Sequence, residues 1–256
     1  MGQDEHSAST TQEMINLKIS PPIAEVRIER SNGINILDRS FMASFLQAIT
    51  TIRNYGSIKV AIISSGHGDG FAAGADMQEL KGLNSRDGVD YSESGQRIFS
   101  IISLSKIIFI SAVEGYCIGG GFDLALACDI ILASPGSYFQ HPGTSRGFIT
   151  GWGGNFRLAR VAGRRKSSSI LIEGRRINLR EAEMIGLVPK DYDDNDRALR
   201  DGEILMKARS MAQRISRLDF RQIDLIKKTI NMSGRISLSS RLVMESHLAH
   251  LHAISL

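Results

Sequence analysis

Two short stretches, Phe71-Ala72-Ala73-Gly74-Ala75-Asp76 and Gly119-Gly120-Gly121-Phe122-Asp123, set small residues just ahead of helix-like segments. Without bulky side chains, a backbone N–H can come close to a bound ligand. Two such donors aimed at one oxygen form an oxyanion hole, the device that stabilises the charge developing as a thioester becomes an enolate. The second stretch also ends on the carboxylate of Asp123. A stabiliser of negative charge beside a group able to carry a proton points to acyl chemistry.

Composition narrows the setting. A chain of 256 residues suits one domain, or a core with an appended subdomain, and can bury a sizeable interior. With 42% hydrophobic and 23% charged residues it reads as an ordinary globule. It has no apolar run of membrane-spanning length and no charged-then-apolar leader, so neither a membrane partner nor export is expected. Cys117 and Cys128 lie in apolar surroundings without metal-ligand spacing. They read as small buried hydrophobes in a reducing compartment, which predicts a cytoplasmic protein with no metal site. The net charge of +4 is mild. Basic residues do not interleave with aromatics, which argues against nucleic acid; solvated surface charge or a phosphate-bearing small molecule both fit.

The elements that must position the two motifs are partly legible. The polar first dozen residues predict a loose tail over 1–14. Residues 23–30 alternate apolar and polar, as a half-buried strand should. Asp38 reads as the cap of a helix carrying Phe41, Phe45, Ala48, Ile49 and Ile52 at three- and four-residue spacings. Residues 60–63 are a continuous apolar run, the mark of a strand buried on both faces, and 107–113 reads as another buried strand. A helix is expected over 90–105, with Ile98, Ile101, Ile102 and Leu104 inward. A short helix is expected over 124–127 and a strand over 129–133. Alternating strand and helix predicts an α/β core over 15–195. From 196 the pattern becomes helical, roughly 196–217, 219–231 and 236–254, with no strand between.

Taken in order, Asn35-Ile36-Leu37, residues 71–80, Ala112-Val113-Glu114-Gly115, and residues 119–129, 139–158 and 182–188 resemble the crotonase superfamily, the enoyl-CoA hydratase/isomerase group. The resemblance covers about 26–254. It implies a spiral of ββα units, with C-terminal helices that assemble trimers or hexamers. It also implies an acyl-CoA substrate and no metal or redox cofactor. On its pattern the thioester oxygen meets the N–H groups of Ala75 and Gly120, with Ala73 and Gly119 beside them. Asp76 reads as a helix cap, and Lys227 as a candidate for the CoA phosphates.

The chain departs from the pattern at three places. Hydratases of the family use two glutamates around one water. Asp123 fills the first slot with a shorter carboxylate, and Gly143 stands in the second. Three substitutes are open: a one-acid proton shuttle, as in isomerases; another nearby polar side chain, His141 foremost; or a bulkier acyl group in the space left at Gly143. Residues 147–154 are expected to line the same pocket and to bring in Trp152, the only tryptophan. Relatives also carry a further C-terminal helix beyond the counterpart of Leu256, which bears on CoA affinity and assembly. The reading is an enoyl-CoA hydratase or isomerase with Asp123 as proton carrier. The alternatives are a CoA-ester-binding homologue without turnover, or a hydrolase or decarboxylase using the same enolate.

Overall fold

The computed structural model describes residues 14–30, 33–66, 69–190 and 203–232. Expectations for the tail and for a helix over 236–254 fall outside them.

Strand β1 (Ile15–Ser20) pairs antiparallel with β2 (Ile23–Ile28), and helix α1 (Arg39–Asn54) follows. The Asp38 carboxylate accepts the Phe41 N–H at 2.8 Å, and Phe41, Phe45, Ala48, Ile49 and Ile52 are all buried, as their spacing predicts. Three turns of chain then repeat one plan: a strand in a first sheet, a short strand in a second, then helix. The first turn is β3 (Val60–Ser65), β4 (Gly70–Ala72), α2 (Met77–Gly82) and α3 (Ser85–Leu104). The second is β5 (Ile108–Val113), β6 (Tyr116–Ile118) and α4 (Gly120–Ala127). The third is β7 (Ile130–Ala133), β8 (Tyr138–Gln140), a 3₁₀ turn over Thr144–Arg146 and α5 (Gly154–Glu173), which is interrupted at Gly163. Strand β9 (Arg176–Asn178) and α6 (Leu179–Met184) complete the core; α7 (Glu203–Ser216) and α8 (Phe220–Met232) follow.

The first sheet runs β1-β2-β3-β5-β7 and the second β4-β6-β8-β9. All pairings are parallel except β1 with β2 and β8 with β9. The first sheet is covered on both faces. Ala61, Ile63 and Phe109 turn into the main core, whereas Val60, Ile62, Ile108 and Ile110 meet Ile204, Ala208 and Ala212 of α7. This double cover is why β3 and β5 are mostly apolar and why even their serines Ser64 and Ser111 are buried.

Two boundaries correct the sequence reading. Leu104 is 63% exposed, and the inward stripe of α3 is Tyr91, Gly95, Ile98, Phe99 and Ile102. The short helix starts at Gly120, not 124, because Gly119 at φ +54 turns the chain directly out of β6. Both cysteines are free, Cys117 buried and Cys128 partly so, and burial raises both thiol pKa values.

Candidate active site

Strands β4 and β6 are neighbours in parallel, so the helices leaving them, α2 and α4, begin side by side at the same sheet edge. Their connections touch through backbone. A Cβ added to Gly74, itself at φ +89, would lie 2.6 Å from the Gly120 nitrogen, and one on Gly121 would run into the Ala72 carbonyl. Only glycine permits this approach.

Planar peptides then aim the donors. Leu37 N–H donates to Gly74 O at 2.8 Å, so the Ala75 N–H, on the opposite edge of that trans peptide, points the other way. Gly119 O accepts from Asp123 N–H at 3.0 Å along the helix, which leaves the Gly120 N–H pointing out of the helix start. The adjacent donors are occupied: Ala73 N–H by Asn35 O at 2.8 Å, Gly119 N–H by Gln140 O at 2.9 Å. Among the described residues, Ala75 N–H and Gly120 N–H have no partner. The Asn35-Ile36-Leu37 segment thus orients the first donor. Asn35 is wholly buried and also donates from Nδ2 to Phe71 O at 3.0 Å.

Both donors border a cavity of about 460 Å³ that Ala73, Gly119, Asp123, His141, Gly143 and Trp152 also line. Asp123, in the first turn of α4, is 1% exposed. Its Oδ2 accepts the Thr150 hydroxyl in a short hydrogen bond, and its Oδ1 lies 2.8 Å from His141 Nε2. That approach lies outside hydrogen-bond geometry, so each atom keeps unused capacity while buried. His141, just past β8, packs on Phe122 at 5.3 Å between ring centres. The start of α5 completes the enclosure: a Cβ on Gly154 would overlap Asp123 Oδ1. Burial lowers the pKa of the Arg157 guanidinium, opposed by the Asp123 charge, and Arg157 donates to Trp152 O at 2.8 Å.

Several expectations need revision. Gly143 leaves no extra room on its side-chain face, because a Cβ there would meet Phe148 O at 2.6 Å. The space for a bulkier acyl group is therefore not at Gly143. Lys227 does not reach the cavity. It is 6% exposed in α8, and its Nζ bonds Asp129 Oδ2 at 2.7 Å, Ile107 O at 2.8 Å and Ile102 O at 3.3 Å. A buried ammonium with three acceptors is a structural anchor. Asp76 caps α2 through Gln78 N–H and Glu79 N–H, as expected, and stands outside the cavity lining.

Sequence reasoning missed Tyr91 and the role of Thr150. Tyr91 lines the cavity from α3; burial raises its phenol pKa, and its hydroxyl has no hydrogen-bond partner among the described residues. Its place on the inward stripe with Ile98 and Ile102 was a usable signal. Nothing in the sequence pairs Thr150 with Asp123, 27 residues away.

Known proteins agree with this architecture. The family model described as enoyl-CoA hydratase/isomerase matches residues 18–252. A short-chain-enoyl-CoA hydratase of Clostridium acetobutylicum is 29% identical, over 88% of this chain and 83% of its own length. A crotonyl-CoA hydratase of Syntrophomonas wolfei is 29% identical, over 79% of this chain and 75% of its own. The crystal structure of an enoyl-CoA hydratase from Polaromonas sp. JS666 superposes with a TM-score of 0.82 at 25% identity, covering 91% of this chain and 89% of that one. With both N–H donors, Asp123 and the repeated ββα turns in place, the chain belongs to the enoyl-CoA hydratase/isomerase family.

Proposed function

We propose that this protein hydrates 2-enoyl-CoA thioesters. The observation that carries the reading is the meeting of two unpartnered N–H groups, Ala75 and Gly120, with the Asp123 carboxylate in one cavity. The thioester oxygen accepts from both donors. Asp123 takes a proton from water as the water oxygen bonds to the β carbon and the π electrons move onto the thioester oxygen. The enolate then collapses as the α carbon takes that proton, so water adds across the double bond and nothing else is consumed. The acyl-CoA ester is the substrate, and the scheme balances without a further cofactor. Removing one oxyanion-hole donor typically costs about 2.7–4 kcal/mol of transition-state stabilisation in acyl-transfer enzymes.

His141 supports Asp123 where family hydratases place a second glutamate elsewhere. It lies 2.8 Å from the carboxylate, outside hydrogen-bond geometry but within the reach over which a proton passes once a bound substrate aligns the pair. One specific observation favours a second reading: the slot held by Gly143 is closed by the Phe148 carbonyl, and a single acid unit is sufficient to move a proton between the α and γ carbons. That is isomerisation of a 3-enoyl to a 2-enoyl thioester. We further assign a cytoplasmic homotrimer, or a hexamer of two trimers, on the family resemblance; light scattering of the purified protein tests the assembly.

Incubation with 2-enoyl and 3-enoyl thioesters decides the reaction. Hydration removes conjugated absorbance from the first, isomerisation creates it from the second, and release of free CoA identifies a hydrolase. Asp123→Asn is expected to lower turnover about 10²–10⁴-fold while thioester binding persists. Binding without turnover in the wild type identifies a non-catalytic homologue instead, and full activity in the Asn variant removes Asp123 from the mechanism.

A further inference from the structure

Trp152 stands between two cavities. Thr150, Gly151 and Trp152 line both the 460 Å³ cavity of the reaction and a second one of about 610 Å³. The second is bordered by Leu104, Leu126, Phe156, Val161 and Ile230, together with polar and charged side chains that include Gln96, Asp129, Arg157 and Arg160. The indole is 3% exposed and is wedged in place by the absence of two side chains. A Cβ on Gly95 of α3 would overlap its five-membered ring, and a Cβ on Gly120 would overlap its six-membered ring. Tyr91 packs on it at 5.5 Å and Phe99 meets it edge-on at 5.6 Å between ring centres. The ring therefore lies directly against the residue whose N–H receives the thioester oxygen, and an acyl chain beginning there meets the indole before the second cavity.

On the reading that the site binds acyl-CoA thioesters, we propose that Trp152 is the wall that limits acyl length, confining this enzyme to short acyl groups. The cavity behind it offers further space, and the apolar part of its lining is where an acyl tail would lie. Replacing the indole with a methyl group joins the two spaces and admits a long acyl tail. Contact at Gly120 also means that the variant loses speed on every substrate, so the diagnostic quantity is a ratio between substrates, in which a general loosening cancels.

The experiment measures kcat/KM for four-carbon and ten-carbon 2-enoyl-CoA with wild type, Trp152→Ala and Trp152→Phe. Wild type and the Phe variant are expected to prefer the short substrate. In the Ala variant the ratio of long to short is expected to rise at least about tenfold, the worth of a methylene or more in an apolar pocket. An unchanged ratio in a cooperatively folding Ala variant overturns the proposal.

A second measurement needs no variant. Trp152 is the chain's only tryptophan, so its fluorescence reports the wall directly. Butyryl-CoA, which has no double bond to hydrate or shift, is expected to shift the emission and to bind at least about tenfold tighter than decanoyl-CoA. Equal affinity, or saturation without any change in emission, overturns the proposal. If no thioester binds at all, the acyl-CoA reading fails and this inference with it. If thioesters bind or react without regard to length, only the wall is refuted.

Discussion

His141 Nε2 lies 2.8 Å from Asp123 Oδ1, with both side chains almost wholly shielded from solvent. The pair comes from different turns of the spiral: Asp123 from the start of α4, His141 from the end of β8. Thr150 holds the other carboxylate oxygen. A buried carboxylate with one hydrogen bond and one close imidazole is expected to respond to the loss of either neighbour.

That coupling is measurable. His141→Leu leaves Asp123 Oδ1 without its neighbour, and Thr150→Val removes the donor to Oδ2. Each is expected to cut turnover at least about tenfold, within the range of acid–base contributions. Because both act on one carboxylate, the double variant is expected to deviate from additivity by about 1 kcal/mol. A double-mutant cycle on kcat/KM checks this, and strict additivity argues against a shared role.

The closed slot at Gly143 predicts that the missing carboxylate cannot simply be put back. A side chain at 143 must displace the Phe148 carbonyl, which a Cβ would meet at 2.6 Å. Gly143→Glu is expected to destabilise the fold by about 1–3 kcal/mol, as overpacking does, without raising hydration. Denaturant melts and the hydration rate test it; a stable variant with faster hydration shows that the loop can make room.

Lys227 and Asp129 anchor α8 to the core. Burial raises the pKa of the Asp129 carboxyl, against the pull of Lys227, so the lysine is what keeps the charge acceptable there. Lys227→Met is expected to cost about 3 kcal/mol by stranding the carboxylate. The double change Lys227→Met with Asp129→Leu recovers part of that loss. KM for acyl-CoA in the folded single variant is expected to stay at the wild-type value, since Nζ is committed at 2.7 Å to Asp129. A raised KM restores the lysine to the substrate.

The cap of α1 gives a pH signature. Burial works against ionisation of Asp38, but the Phe41 N–H and Arg30, 2.6 Å away, prevail and hold its pKa below the ordinary value. A carboxyl whose pKa is depressed on folding contributes stability above its unfolded pKa and loses it as pH falls through the folded one. Asp38→Ala is therefore expected to cost about 1 kcal/mol at neutral pH. The gap closes below about pH 4, where the wild-type carboxyl protonates too. Thermal melts of both proteins across that range check the sign.

The sequence by itself determined the parts that local chemistry dictates. The cap and apolar stripe of α1 follow from spacing, and β3 and β5 from their mainly apolar runs. The two tight turns follow from their glycines and alanines, and the family resemblance singled out Ala75 and Gly120 within them. Asp123 follows from its place in the first turn after the triple glycine.

Tertiary structure decided what depends on residues far apart. The second sheet escaped because β4, β6, β8 and β9 are three residues each, too short for a period to register. Leu104 looked inward because an apolar residue at the end of a helix carries no mark of whether anything covers it. Lys227 read as a candidate for the CoA phosphates, but Asp129 and two carbonyls close around it. His141 and Thr150 meet Asp123 only because parallel strands carry successive turns to one edge. The glycines at 95 and 120 acquire their meaning only when the indole of Trp152 fills the space they leave. Backbone geometry can be written into a few consecutive residues, whereas the neighbours of Asp123 and the seat of Trp152 are set by packing between segments that the chain order keeps apart.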